Sequence, residues 1–256
     1  MYSHSKLATF EQCPKKFEFK YINKIKPDFD QTIEAFLGSK IHETMEWIYN
    51  NREKDFNLDK IIKYFIDSWI KDYKLNIKII KENLKVEDYI NKGIKFLINY
   101  FIKYYPFKDN TIETEKKVYI SLDKNDQYLL IGYIDRLVHD KENNIFEIHD
   151  YKTGSIKSQK ELDEDRQLAI YSLAIRNSYK DIDKIKLVWH FFEANQELIS
   201  ERTIEQLENL RNEILNLIKK IELTKEFTTN KSNLCNWCEY KTKCPEFTKE
   251  NLNYFI

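Results

Sequence analysis

The segment Ile148-His149-Asp150-Tyr151-Lys152-Thr153-Gly154 carries the densest chemistry in the sequence. It reads as a strand, on which side chains alternate faces, so Asp150 and Lys152 project from the same side. A carboxylate can bind a hard divalent cation, and an ammonium beside it can orient water or steady charge growing on a phosphate. Alone, Asp-x-Lys reads as an ordinary surface ion pair. The preceding run Gly132-Tyr133-Ile134-Asp135-Arg136 changes that, because a meander would set Asp135 beside Asp150. Two carboxylates at close range repel unless a cation sits between them. Mg²⁺ accepts one or two carboxylates together with phosphate oxygens of a substrate.

Further groups can join this pair. Gly38-Ser39-Lys40-Ile41-His42 puts a histidine near the start of a predicted helix. A lone histidine is usually structural, but an imidazole ligand here would suit Mn²⁺ somewhat better than Mg²⁺. Gln167 and Tyr171 lie four residues apart on another predicted helix and face the same way. An amide and a phenol so placed can contact a DNA strand, or simply pack on the helix surface. Glu115, just before the first predicted strand, is placed to reach the same site. A second group of potential ligands is Cys13 with Cys235, Cys238 and Cys244. One plus three is unlike the paired spacing of a zinc ribbon. Four thiolates can hold zinc or a [4Fe–4S] cluster, and spacing alone leaves both open.

The elements that must position these residues follow from periodicity. Residues 1–26 read as a helix, Gly38 to about Asn51 as a second, and 58–105 as helical throughout, ended by Pro106. Val118–Leu122, Tyr128–Val138 and Asn144–Tyr151 read as a three-strand meander separated by Asp/Asn/Lys turns. Asp163 to about Ser178 is expected to be helical, Ile185–Glu193 a further strand, and Thr203–Glu222 a long amphipathic helix. The expected fold class is α/β: a mixed central sheet flanked by helices, with a helical insertion before the sheet and a C-terminal cysteine-rich region. The expected organisation is one domain over residues 1–256. Its helical part spans about 1–106, its sheet core about 107–200 and its C-terminal helix and cysteines about 201–256.

Composition permits this. In 256 residues, 42% are hydrophobic and 14% aromatic, so a packed core is available and wholesale disorder is excluded. With 42 basic and 42 acidic residues the net charge is +0, less basic than many nucleic-acid binders, although a balanced chain can carry a local basic groove. No apolar run approaches the ~20 residues a membrane helix needs, and MYSHSKLATFEQC has no signal-peptide core. A cytoplasmic protein without a membrane partner is expected. In a reducing compartment its four cysteines point to metal rather than disulfides.

Taken together and in order, these residues resemble the RecB-like branch of the PD-(D/E)XK (restriction-endonuclease-like) nucleases. The matching motifs are Gly38-x-x-x-His42, Gly132-x-x-Asp135-Arg136, Asp150-Tyr151-Lys152-Thr153-Gly154 and Gln167-x-x-x-Tyr171. The ends match too, in Ser5-x-Leu7-x-x-Phe10-x-x-Cys13-Pro14-x-x-Phe17 and Cys235-x-x-Cys238-x5-Cys244-Pro245. The resemblance is strongest to the CRISPR-associated RecB-like exonucleases and to nuclease domains of the AddB type. It implies that His42, Asp135, Asp150 and the Tyr151 carbonyl bind Mg²⁺ or Mn²⁺, that Lys152 positions or activates water, and that Gln167 and Tyr171 help arrange the site. It implies that Cys13, Cys235, Cys238 and Cys244 hold [4Fe–4S]. The expected activity is hydrolysis of DNA, as an exonuclease on single-stranded ends, in CRISPR adaptation or DNA repair, with partner proteins of an adaptation or helicase–nuclease complex. The alternative is an iron–sulfur DNA-binding or assembly subunit with minor nuclease activity. No Walker phosphate loop is present, so any motor would be a separate chain.

Overall fold

The computed structural model describes residues 1–52, 57–123 and 125–252. In chain order it contains β1 (Tyr2–Ser3), α1 (His4–Gln12), α2 (Pro14–Phe17), a π-helical turn (Glu18–Ile22), β2 (Gln31–Thr32), α3 (Ile33–Asn51), α4 (Leu58–Asp72), β3 (Ile77–Lys78) and α5 (Val86–Tyr104). The sheet-forming half follows: β4 (Thr111–Ser121), β5 (Leu129–Asp140), β6 (Ile145–Lys152), α6 (Gln159–Glu164), α7 (Gln167–Ser178), β7 (Lys184–Phe191), β8 (Gln196–Ser200) and α8 (Ile204–Leu223). Two 3-10 turns (Asn233–Trp237 and Lys241–Lys243) and α9 (Pro245–Leu252) complete it.

The central sheet has six strands in the order β1-β5-β6-β7-β8, with β4 also pairing with β5. It is mixed. The meander β4-β5-β6 is antiparallel, β6 and β7 are parallel, and β8 returns antiparallel on β7. A parallel pair needs a long crossover, and here α6 and α7 supply it. One buried cluster joins α7, α8 and α1 to the sheet through Ile170, Ile214, Leu7, Ile134 and Ile148. The other joins α3, α4 and α5 through Ile41, Phe65 and Phe96, and reaches the sheet at Tyr151 and Phe192. Helices therefore flank the sheet, and the helical insertion lies before it, as the fold class requires.

Several boundaries differ from the periodicity, each for a local reason. The stretch 58–105 is two helices, α4 and α5, joined by chain that includes β3, which pairs with β2. Ile77, Ile79 and Leu84 keep packing on the same helical cluster there, so the apolar rhythm continues without a helix. The helix expected from Asp163 is divided, because the backbone turns extended at Asp165, whose carboxylate then accepts the Gln167 backbone N–H at 2.8 Å where the next helix begins. The N-terminal helix is likewise split, and Pro14 opens α2, where its missing N–H costs nothing. Strand β8 is short and polar at its start, and Asn195 makes its turn with φ 50°. His42 lies nine residues inside α3 rather than near its start.

Candidate active site

Strand β5 pairs with β4 from Leu129 to Val138 but with β6 only from Arg136 to Asp140. The β5–β6 ladder ends at Arg136–His149, while β6 stays paired with β7 as far as Lys152–Phe191. Beyond that pair the two strands part, and Asp135 and Asp150 are the next residue on each. The candidate site is this fork.

A second irregularity coincides with it. Ile134 packs in the cluster on the α7 side, whereas the Arg136 guanidinium lies 4.2 Å from the centre of the Tyr49 ring of α3, on the other side. In a regular strand, residues two apart share a face, so the ladder switches faces at Asp135. On β4, Glu115 lies between the pairs Thr114–Arg136 and Lys116–Ile134, opposite Asp135, and has φ 47°. A left-handed glutamate inside a strand is uncommon, and such strain clusters at functional sites. Glu115 thus lies within β4, which starts at Thr111, and not before the first strand.

Helix α3 covers the fork. His42 Nδ1 is 3.3 Å from Asp135 Oδ2, and its Nε2 is 2.7 Å from the Tyr151 carbonyl oxygen. The Tyr151 backbone N–H donates to Asp135 Oδ2 at 2.8 Å. Gly38, one turn before His42, comes against Thr153, whose Oγ1 would lie 3.4 Å from a Cβ at that glycine. Ligand atoms of His42, Glu115 and Asp135 all lie within 4.8 Å of one another, the only such triad among the described residues.

From the other side, α7 ties Asp150 to Lys152. Gln167 donates from Nε2 to Asp150 Oδ1 at 2.9 Å and accepts from Lys152 Nζ at its Oε1 at 2.8 Å. Lys152 Nζ is 2.8 Å from Asp150 Oδ2. That oxygen is fully buried and receives no directed hydrogen bond, so the contact is an ion pair of poor hydrogen-bond geometry. Tyr171, one turn along α7, is buried, and its ring lies where a side chain on residue 132 would be: a Cβ there would sit 2.2 Å from Tyr171 Cε1. Glycine at 132 is required by this close approach. The Tyr171 ring packs here rather than facing an open surface.

Electrostatics follow from this crowding. Burial pushes the Asp150 carboxyl above the usual carboxylate range, and Asp135 adds to this despite Lys152. Burial, with Asp135 second, raises Glu115 to about 7. Burial alone would lower His42, but Asp135 and the other acceptors around it outweigh that and raise it to about 9. Burial would likewise lower Lys152, but Asp150 reverses the sign and keeps its ammonium charged. His42 is held as a cation between two acceptors, and two acids resist losing their protons. Every one of these shifts would be relieved by a divalent cation.

The four cysteines are free, half-buried and line one cavity together with Phe19, Tyr240 and Phe247. Burial raises the thiols of Cys238 and Cys244, and Cys13 contributes to both.

The structure therefore brings His42, Asp135, Asp150, Tyr151, Lys152, Gln167 and Tyr171 into one place, and Cys13, Cys235, Cys238 and Cys244 into another. Sequence reasoning singled out Glu115 but could not fix it, because its strand was read as starting too late. It left Arg136 without a role.

A family model described as the PD-(D/E)XK nuclease superfamily matches residues 1–245. A solved structure of a Eubacterium rectale protein provisionally named an exonuclease is similar in fold, with TM-score 0.55 and 10% identity, over 96% of this chain and 86% of that one. The structure named SSO0001 aligns with TM-score 0.40 and 16% identity over 94% of this chain and 95% of that one, too distant to carry an argument. No curated protein matches the sequence.

Proposed function

We propose a function from one premise: the chain belongs to the PD-(D/E)XK nuclease superfamily. Our reading is a Mg²⁺- or Mn²⁺-dependent deoxyribonuclease of RecB-like, iron–sulfur type, acting as an exonuclease on single-stranded DNA ends. The observation that carries it is the fork, where Asp135, Asp150 and Lys152 meet His42 and Glu115. We take the whole chain as one nuclease domain.

The residues present fit a hard divalent ion. His42, Glu115, Asp135, Asp150 and the Tyr151 carbonyl would hold it, an oxygen-rich set with one imidazole. Asp150 Oδ2 supports this, as a buried carboxylate oxygen without a directed hydrogen bond. When bound, such an ion neutralises phosphate charge and makes a nearby water a stronger nucleophile. The chain's own groups supply the rest. Lys152, whose ammonium Asp150 keeps charged, orients the attacking water and carries charge on the phosphate. Gln167 holds Lys152 and Asp150 with opposite ends of one amide and fixes their separation. Attack runs in line with the leaving oxygen.

The single-stranded preference is supported by β4 and β5 beyond the fork. Tyr133, two residues before Asp135, stands opposite Lys117, and Tyr119 stands opposite Ile131. The two tyrosines are 49% and 53% exposed, and Lys117 Nζ lies 5.1 Å from the Tyr119 ring centre. Exposed rings accept unpaired bases of any identity, and a lysine beside them meets phosphate.

A [4Fe–4S] cluster fits the cysteines better than zinc does. A tetrahedral site with Zn–S near 2.3 Å brings sulfurs to about 3.8 Å from one another. Among the described residues the group of potential ligands spaced within 4.8 Å is His42, Glu115 and Asp135 at the fork, and the cysteine sulfurs form no such group. A wider cluster suits them. CRISPR adaptation or DNA repair, with protein partners, is the setting this reading implies.

The test is digestion of end-labelled single- and double-stranded DNA with Mn²⁺. The wild type should shorten single strands, and Asp150→Ala should leave them intact. Equal digestion by both proteins would sink the reading.

A further inference from the structure

Behind the fork lies a buried polar network. Arg136 follows Asp135 directly and is 2% exposed. Its Nε donates to the Tyr151 hydroxyl at 2.9 Å, Nη1 to Asp109 and to Thr111 Oγ1 at 3.2 Å, and Nη2 to His149 Nδ1 at 2.8 Å. His149 Nδ1 is also 2.8 Å from His190 Nε2, and His149 Nε2 is 3.2 Å from Glu147. At the far end the Tyr104 hydroxyl donates to Glu197 at 2.7 Å and lies 3.3 Å from His190 Nδ1. Because an arginine can only donate, His149 Nδ1 must accept, which places the His149 proton on Nε2. Burial, reinforced by Arg136, keeps both histidines well below their ordinary pKa and therefore neutral.

A buried guanidinium is costly unless its donors are satisfied, and a helix-on-sheet interface gains nothing from one that leucine could not supply. What this arginine does hold is Tyr151. That residue is gripped three ways. Its N–H is on Asp135, its carbonyl meets His42, and its hydroxyl is on Arg136. Two of the three grips come from neighbouring residues of β5, Arg136 in the last backbone pair with β6 and Asp135 just beyond it. We propose that Arg136 is a positioning residue. Through the Tyr151 hydroxyl it sets the width of the fork, and so the separation of Asp135 from Asp150 and the Tyr151 carbonyl, and thereby tunes affinity for the divalent cation. The inference rests on the cation-binding reading of the fork. Partners behind ligand-bearing groups commonly contribute ten- to hundredfold in metal affinity.

The experiment is Mn²⁺ binding by titration calorimetry on the full chain, with thermal unfolding of each variant in metal-free buffer. Tyr151→Phe removes only the hydroxyl and should weaken Mn²⁺ binding roughly tenfold or more. Tyr104→Phe removes a hydroxyl from the same network without touching Tyr151, and should bind Mn²⁺ as the wild type does. A structural role alone would lower the unfolding temperatures and leave both affinities unchanged; that result overturns the proposal. Asp150→Ala separates the two ideas. If it too binds Mn²⁺ normally, the cation site itself is misplaced. If only Asp150→Ala loses binding, the site stands and the role of Arg136 falls.

Discussion

Asp150, Lys152 and Gln167 form a closed triangle, two sides hydrogen bonds of the Gln167 amide and the third the Lys152–Asp150 ion pair. Removing one therefore exposes what each does. Lys152→Ala leaves the carboxylates and His42 in place, so Mn²⁺ and DNA binding should survive. The charge that meets the phosphate is lost, and the cleavage rate should fall by roughly 10²–10³. Single-turnover rates, with binding measured separately, check this. Cleavage by Lys152→Ala at the wild-type rate would remove the lysine from the mechanism. The pH behaviour also belongs to this scale. His42 is raised from 6.5 to about 9, so its contribution to stability is full below about 6.5 and is lost as pH rises through about 9. Glu115 is an acid raised from 4.5 to about 7; the folded state holds its proton longer, so stability falls as pH rises across that window. A cation needs both groups deprotonated. Metal-free stability should fall with rising pH between about 5 and 9 while Mn²⁺ affinity rises. Thermal unfolding with and without Mn²⁺ reads the opposing trends, and parallel trends would contradict the shared site.

The spacing of Asp135, Asp150, Lys152, Gln167 and Tyr171 was legible because strand and helix periods fix which residues share a face. The switch of face at Asp135 was not, since nothing in the run Tyr133–Arg136 marks a bulge, and the signal lies in the backbone of Glu115 across the ladder. The break between α6 and α7 was hidden for a similar reason. Asp165 ends the first helix and accepts the first N–H of the second, without any glycine or proline to announce the break.

Elements set this geometry through close approaches. At Gly132 the strand comes so near α7 that the Tyr171 ring fills the place of a side chain. Gly132→Ala must push the ring or the helix away, costing about 1–3 kcal/mol in unfolding free energy. Gln167 shares α7 with Tyr171, so the variant should also lose activity at temperatures where it remains folded. A fully active Gly132→Ala protein would show that α7 does not position the amide. The exposed edge of the same hairpin makes a separate prediction. Tyr119→Ala combined with Tyr133→Ala should weaken single-stranded DNA binding by roughly thirtyfold or more, at about 1–3 kcal/mol for each of two stacked bases. Mn²⁺ binding should stay unchanged, because both rings are exposed and neither belongs to the candidate ligand group. Fluorescence anisotropy with single- and double-stranded oligonucleotides separates the two. An equal loss on both would point to plain charge effects rather than stacking.

On the scale of the whole molecule, the cysteines join the chain's two ends, and the surrounding structure already holds those ends together. Lys15 N–H donates to the Thr228 carbonyl at 3.0 Å, Asp28 N–H to the Glu239 carbonyl at 2.7 Å, and Lys16 pairs with Glu239 at 2.8 Å. Phe17 stacks on Phe227 with ring centres 6.2 Å apart. These contacts are noncovalent and partly solvent-exposed, whereas a cluster on Cys13 and the C-terminal cysteines would tie the same two ends together by bonds, closing a loop of nearly the whole chain, which constrains the unfolded state most. Its contribution should thus appear in stability more than in chemistry, since the lining of the cysteine cavity includes none of the fork's residues. Cys238→Ala, purified without oxygen, should lose the brown colour of a cluster and unfold at a lower temperature. Proteolysis should then cut first near α1 and the C-terminal tail. Cleavage of single-stranded DNA should persist below the new unfolding temperature. If activity instead vanished while the sheet stayed folded, the cluster would have to act on the fork itself, through α1 where it packs on the same buried cluster as β5. A colourless wild-type protein containing zinc would replace the cluster while leaving the stapling argument in force, because either metal closes the same loop.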